Sequence, residues 1–389
     1  MRKVTTVRQM VIGGLLPLLV VGGCASSPSE DAGPAPAEST LTPTSLEGAW
    51  DPILATVDAK LPPPAATCPI GSDPDLPGPT DQERPDAGWK GNLAAVFDQH
   101  TGRIVYVDTL SETWTFDICA NTWHRMNPTG ALIGEISAGL VYDVDSDVTV
   151  ALSFEHISVY DANTNTWTQP SNDTIGIGDG LIVPMGAVYD PISGLILTTR
   201  QVGWGEQIEN AGYWEVWAYD VDTNEWMTIG TIPHEPSTQQ REGNDSQWLE
   251  LLGYSQMIDR LIFTSDNETT VLVDPRTGAT TPISTYTPVI DLGWPGGVYG
   301  PAGDTVYVRL GTSICGFRAN TSTWNCLTAP IPRETINYAA FAAIVGDPVN
   351  HRLVLVNGVH GDWWADGTDD VWAIDFDTGG WIQLLGASD

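Results

Sequence analysis

Residues 186–199 read GAVYDPISGLILTT. An apolar run ends in Tyr189-Asp190, four turn-forming residues follow, and a β-branched run begins at Leu195, which is the pattern of a hairpin. The same frame recurs in AAVFDQHTGRIVYV (94–107), GLVYDVDSDVTVAL (139–152), LGYSQMIDRLIFT (252–264), GGVYGPAGDTVYVR (296–309) and AAIVGDPVNHRLVLV (342–356). Its anchors are Phe97, Tyr142, Tyr189, Tyr254, Tyr299 and Gly346, spaced by 45, 47, 65, 45 and 47 positions. A repeat of about 40–50 residues marks a propeller or a solenoid, so the repeat decides the fold before any motif does.

A second hairpin follows each first one. Phe116 and Trp123, Tyr160 and Trp167, Tyr219 and Trp226, Val273 and Thr280, Phe317 and Trp324, and Ile374 and Trp381 all stand seven residues apart. That separation, with its short turn, puts the two members directly opposite on antiparallel strands. Five positions after the first member come Asn121, Asn165, Asn224, Gly278, Ser322 and Gly379, mostly residue types that tolerate positive φ. Gly102, Asp147, Gly194, Asp259, Asp304 and His351 hold the corresponding place in the first hairpins.

These residues resemble the kelch repeats: VYDPISGLIL and VYDANTNTW look like the first and second hairpins of that family, over residues 91–386. The resemblance implies an all-β chain, with four antiparallel strands per blade and six blades in a β-propeller around a channel. The chain departs from the family in lacking its Gly-Gly doublet, which only Asn357-Gly358 approaches. A seventh blade from residues 46–90 would need an anchor pair, and that stretch has none. Galactose oxidase, a copper enzyme with a similar propeller, needs a free cysteine thiol for its cross-link, and two disulfides here would leave none.

The address precedes the repeats. Residues 1–23 carry Arg2, Lys3 and Arg8 and then a short apolar run, the layout of a signal peptide. That run is too short to span a bilayer core of ~30 Å. Val21-Gly22-Gly23-Cys24 resembles a bacterial lipobox, which implies lipidation of Cys24, cleavage before it, and anchorage outside the cytoplasmic membrane, or on an outer membrane where there is one. Residues 24–45 read as a lipidated flexible tether, 46–90 as a Pro-rich segment packed on the propeller, and 91–389 as the propeller. The full chain has 49 acidic against 16 basic residues, and three of the basic ones leave with the signal. A net charge of -33 excludes nucleic acid as an electrostatic partner, since binding would add like charge. Membrane contact is expected through the lipid alone.

Four cysteines remain after Cys24: Cys68, Cys119, Cys315 and Cys326, an even number in an exported chain. The hairpin that pairs Phe317 with Trp324 also sets Cys315 opposite Cys326, within bridging distance. Cys68 is then left to Cys119.

In such a blade the second-to-third connections and the inter-blade links emerge on one face. Most of those connections are tight, as in YVDTLSETW and ALSFEHISVY, but Arg200–Trp214 and Asn357–Asp370 are long, and they belong to blades three and six, opposite one another in a ring. Long ordered insertions are usually functional. The first holds Arg200, Gln201, Trp204, Glu206 and Tyr213; the second holds His360, Asp362, Trp363, Trp364, Asp366 and Asp369; the link 232–250 adds His234, Glu235, Arg241 and Glu242. Aromatic platforms beside carboxylates and amides suit sugar rings, which stack on indoles and hydrogen-bond through hydroxyls. His100, His124 and His351 fall outside this face and read as structural. The run HGDWWADGTDD offers oxygen ligands for Ca²⁺ but lacks EF-hand spacing. No other cofactor is called for, and the chain contains no HExxH, GxSxG, phosphate loop or CxxC.

The reading is a lipid-anchored propeller that binds a glycan or a surface protein without catalysis. One alternative is a lyase, mutarotase or glycosidase, in which Glu206, Glu235, Asp362 or Asp366 would converge with His234 or His360. A structural envelope protein is another.

Overall fold

A computed structural model describes the chain outside residues 1–64, 80, 86–93, 109, 133–135, 154–155, 171–185, 203–212, 234–248, 266–269, 284–297, 300–304, 311–312, 328–342, 360–366, 377 and 387–389. By contact density the chain divides after Thr44, and everything described belongs to the second unit, Ser45–Asp389. The described residues form twenty-four strands in six four-stranded antiparallel sheets, with no helix. Blade one is β1 (Ala94–Asp98), β2 (Arg103–Val107), β3 (Thr113–Asp117) and β4 (Thr122–Arg125). Blade two is β5 (Ile136–Asp143), β6 (Val148–Ser153), β7 (Ile157–Asp161) and β8 (Thr166–Thr168). Blade three is β9 (Ala187–Asp190), β10 (Leu195–Val202), β11 (Tyr213–Asp220) and β12 (Glu225–Pro233). Blade four is β13 (Leu249–Ser255), β14 (Arg260–Ser265), β15 (Thr270–Val273) and β16 (Thr280–Ile283). Blade five is β17 (Val298–Tyr299), β18 (Thr305–Leu310), β19 (Ser313–Arg318) and β20 (Thr323–Cys326). Blade six is β21 (Ala343–Asp347), β22 (Arg352–Val359), β23 (Gly367–Asp375) and β24 (Trp381–Leu385). Among the described residues no strand precedes β1, and the blades number six.

Six hydrophobic cores lie between the blades. They join one to two, two to three, three to four, four to five, five to six, and six back to one, so the sheets close into a propeller. Closure follows from the period of two: Val105 and Val107 face blade two, while Ile104, Tyr106 and Phe116 face blade six. The first strand of each blade packs beside the first strand of the next, with β21 beside β1.

Local chemistry agrees with the repeat. All six seven-residue pairs are cross-strand partners, from Phe116↔Trp123 to Ile374↔Trp381. Of the turn residues, Asp304 lies outside the described residues; the other eleven all have positive φ, from 51° at Asn165 to 71° at Gly194. An aspartate that closes a strand also caps the turn after it: Asp98 Oδ1 accepts from the His100 and Thr101 N–H groups, and Asp190, Asp220 and Asp274 each accept from the N–H two residues on.

Both disulfides form. Cys315 bridges Cys326, its register partner, and Cys68 bridges Cys119. Such bonds persist in oxidising compartments.

Residues 65–85 lie across the seam where blade six meets blade one. Ala66 N–H donates to Gln99 O, Gly78 N–H to Leu384 O at 2.8 Å, and the Arg84 guanidinium to Gly386 O. Asn121, at the β3–β4 turn, donates to Pro74 O and Leu76 O. From blade six, Arg352 pairs with Asp347 at 2.9 Å and donates to Ile118 O and Pro74 O, both at 3.0 Å. Arg352 and Asp347 are both fully buried.

Candidate functional site

The two faces of the ring differ in what their side chains do. On the face of the β1–β2 turns, tyrosines and turn residues bind one another. Tyr142 and Tyr254 each donate to the aspartate five residues on, Asp147 and Asp259, at 2.6 Å. Tyr160 and Tyr219 donate likewise to Asn165 and Asn224 at 2.9 and 3.0 Å. Burial, seconded by neighbouring carboxylates, lifts all four phenols, Tyr160 and Tyr219 to about 12, so they remain protonated donors. Arg276 bonds Asp259 at 2.5 Å and lies 3.6 Å from Asp190 of the neighbouring blade. His100 and His351 belong to this mesh: His100 Nε2 sits 3.9 Å from Asp147, and His351 holds a left-handed turn with its ring 6.2 Å from Phe376. His124 bonds Thr122 on the outer strand β4.

On the opposite face the connections vary. Blade one's β2–β3 ladder stops at Val107↔Thr113, and Asp108 closes the loop, accepting from the Leu110 and Glu112 N–H groups and from Trp114 Nε1. Blade two is equally tight: the Ser153 hydroxyl bonds His156 O, and His156 Nδ1 lies 3.2 Å from Gln169 Nε2. In blade three the ladder continues past the equivalent pair Thr199↔Val216 through Arg200↔Glu215 and Gln201↔Trp214 to Val202↔Tyr213. In blade six it passes Val356↔Val371 and runs on to Val359↔Gly367.

This corrects the sequence reading of the insertions as loops from Arg200 to Trp214 and from Asn357 to Asp370. Their ends are strand. Gly367-Thr368-Asp369-Asp370 has low β propensity, but the opposed β22 backbone recruits it into the ladder.

Arg200 therefore sits in β10, in register with Glu215. Trp204 and Glu206 lie outside the described residues, as do His234, Glu235 and Arg241 in the link, and His360, Asp362, Trp363, Trp364 and Asp366 in blade six. Among the described residues no group of three or more His, Cys, Asp or Glu is placed to hold a metal ion.

Four residues that the sequence reading passed over stand at the stems of both insertions. In blade three, Trp217 Nε1 donates to Glu215 Oε2 at 2.8 Å. In blade six, Trp372 Nε1 donates to Asp370 Oδ2 at 2.8 Å. Glu215 and Asp370 occupy the same place four residues before the hairpin anchors Tyr219 and Ile374. The two blades share a further irregularity: β12 carries an extra residue opposite Val216/Trp217, and β24 carries one opposite Val371/Trp372. Those extra residues, Ile229 and Leu384, are buried. Among the described residues no other blade has a register shift between its third and fourth strands. A bulge bends and twists its strand, and commonly re-aims side chains beside a functional site. The signal was legible, since EVWAYD (215–220) and DVWAID (370–375) are nearly the same hexapeptide.

Fold and site together define the class, a six-bladed β-propeller with one constructed face and one variable face. No family model and no curated protein matches the chain.

Proposed function

We propose that the chain is a lipid-anchored, kelch-type propeller, exported and displayed outside the cytoplasmic membrane. It acts as a non-catalytic binding module for a glycan, through the face that carries the insertions of blades three and six. The observation that carries this reading is a device found, among the described residues, in those two opposite blades alone: an extended β2–β3-type hairpin, a carboxylate-anchored indole at its stem and a bulge behind it. Each indole is held at its N–H by the carboxylate and packed on its own side, Trp372 on the core shared with blade five and Trp217 against Trp226, so the pair fixes the stem of its insertion, which lowers the entropy lost when the insertion meets a ligand. The opposite face supports the reading by default, because its tyrosines, asparagines and aspartates are engaged in holding turns. Two disulfides and the Val21-Gly22-Gly23-Cys24 segment support export and lipidation.

The test is a glycan-array screen of soluble protein beginning after Cys24, with and without Ca²⁺. Binding should fall at least about tenfold in Trp204→Ala and in Trp363→Ala. Full binding in both variants rejects this face. Capture of a protein but no glycan by the wild-type chain rejects the ligand class. Anchorage is tested separately by palmitate labelling, which Cys24→Ser should abolish.

A further inference from the structure

The described part of residues 65–85 contains no strand, and only Gly78 and Pro85 in it are buried. Its large apolar side chains, Ile70 and Leu76, project into solvent. The segment is thus held by polar contacts and one covalent bond rather than by a core. That bond, Cys68–Cys119, fastens its start to the β3–β4 turn of blade one, and the chain itself rejoins blade one at β1. Between the two fastenings the segment lies against blade six, at Leu384 O, Gly386 O and the Arg352 guanidinium. The blade joined by this route is the one that sequence places farthest away: β24 and β1 are not consecutive, so no inter-blade link crosses this seam, whereas successive blades follow one another along the chain at the other five joints. Cys68 and Cys119 are each half-buried, within reach of a small thiol.

We propose that residues 65–85 form a redox-operated strap. A dithiol reductant delivers two electrons and two protons to the Cys68–Cys119 bond, leaving two thiols and the reductant as its cyclic disulfide. The strap then comes free at its start and Arg352 loses Pro74 O as a partner, so the seam between blades six and one, left with the core the two blades share, opens transiently more often than the other five joints. Segments with little buried apolar surface open at low free-energy cost, and the covalent tie is what prevents this one from doing so.

The experiment uses the full chain with Cys315→Ala and Cys326→Ala, so that dithiothreitol acts on Cys68–Cys119. Hydrogen exchange is followed by mass spectrometry in the oxidised, reduced and re-oxidised protein. After reduction, peptides covering 65–85, 94–107, 343–356 and 381–386 should exchange about tenfold faster or more, those covering 195–202 and 260–265 should be unchanged, and re-oxidation should restore the first set. The variant Cys68→Ala/Cys119→Ala should show the reduced pattern without dithiol; where it fails to fold, reduction of the folded oxidised protein decides alone. Three results overturn the proposal: no change on reduction, acceleration confined to residues 65–85, or uniform acceleration across all six blades.

Discussion

The seam between blades six and one and the joint between blades one and two meet the same demands with different atoms. At the joint, the chain leaving β4 passes the next blade's turn: Asn165 donates to Met126 O, Thr129 N–H donates to Asn165 O at 3.0 Å, and Thr129 O accepts from Trp167 N–H at 2.8 Å. At the seam, Asn121 donates instead to Pro74 O and Leu76 O. The two Thr129 bonds are replaced by one side chain, Gln82, whose Nε2 donates to Asn121 O at 3.3 Å and whose Oε1 accepts from Trp123 N–H. A primary amide offers the same donor and acceptor as a peptide group, so the side chain stands in for a backbone that is not there. The lesson is that the turn asparagine and the tryptophan amide set the requirement, and chain connectivity is only one way to meet it.

The match fails at one point. Trp167 Nε1 donates to Thr113 Oγ1 at 2.7 Å, and Trp324 makes the same bond to Thr270. The residue equivalent to Thr113 in blade six is Val371, and Trp123 Nε1 is buried without a partner among the described residues. Trp226 Nε1 is in the same state where blade two has Ile157. At four joints two threonines go with two satisfied indoles and two aliphatic residues with two orphaned ones, which makes the pairing rule; at a fifth, Ile314 holds that place and Trp381 is half-buried.

The comparison can be broken first at Arg352. Arg352→Met leaves Asp347 buried without its cation and removes the donors to Ile118 O and Pro74 O, so urea denaturation should show a loss of about 3–5 kcal/mol. Next come the disulfides: by loop-closure entropy, Cys68→Ala/Cys119→Ala should cost ~4 kcal/mol and Cys315→Ala/Cys326→Ala ~3 kcal/mol, the separations being 51 and 11 residues. A melting-temperature series in which the second pair costs more would contradict that order.

A third test contrasts two buried turn aspartates. Asp347 has the Arg352 guanidinium; among the described residues no cation pairs with Asp143, and burial raises its pKa from 3.8 to about 6. The folded state therefore holds this proton more tightly than the unfolded one. Its contribution is fully present below pH 3.8 and is lost as pH rises through 6, so stability should increase on acidification across that window. Asp143→Asn keeps the turn acceptor and should abolish this slope, gaining about 1–3 kcal/mol at pH 8. An unchanged slope would place the titration elsewhere.

Gln82→Ala should cost about 1–2 kcal/mol by stranding Trp123 N–H and Asn121 O. Gln82→Glu should recover only part, since it can accept from Trp123 but sets a carboxylate against the Asn121 carbonyl. The smallest effect sharpens the pairing rule: Val371→Thr, nearly isosteric, should give Trp123 its acceptor and change stability by no more than about 1 kcal/mol, in the stabilising direction, with an altered Trp123 indole N–H resonance.

The ring was legible because its determinants are local. An aromatic anchor, a turn residue that accepts positive φ and a partner seven residues away are all short-range, and degenerate copies such as Val273/Thr280 still fell into frame. The closure was not legible, because Gln82 acts on residues 39 and 41 positions away and Arg352 on backbone 234 or more positions away, and the contacts belong to no repeat. The insertions misled at their ends, where β22 draws Gly367–Asp370 into a ladder that composition argues against. Glu215 and Asp370 escaped notice because only a comparison of blade three with blade six, rather than of all six blades, isolates them.

Gln82 also bears on how such a gene could be rearranged. Were the coding order circularly permuted to open at the joint between blades two and three, Asn224 would lose Pro170 O, the carbonyl it now holds at 2.7 Å. The relocated ends would then have to carry a substitute of their own, and a permutant lacking one would leave that asparagine facing water in an otherwise finished disc.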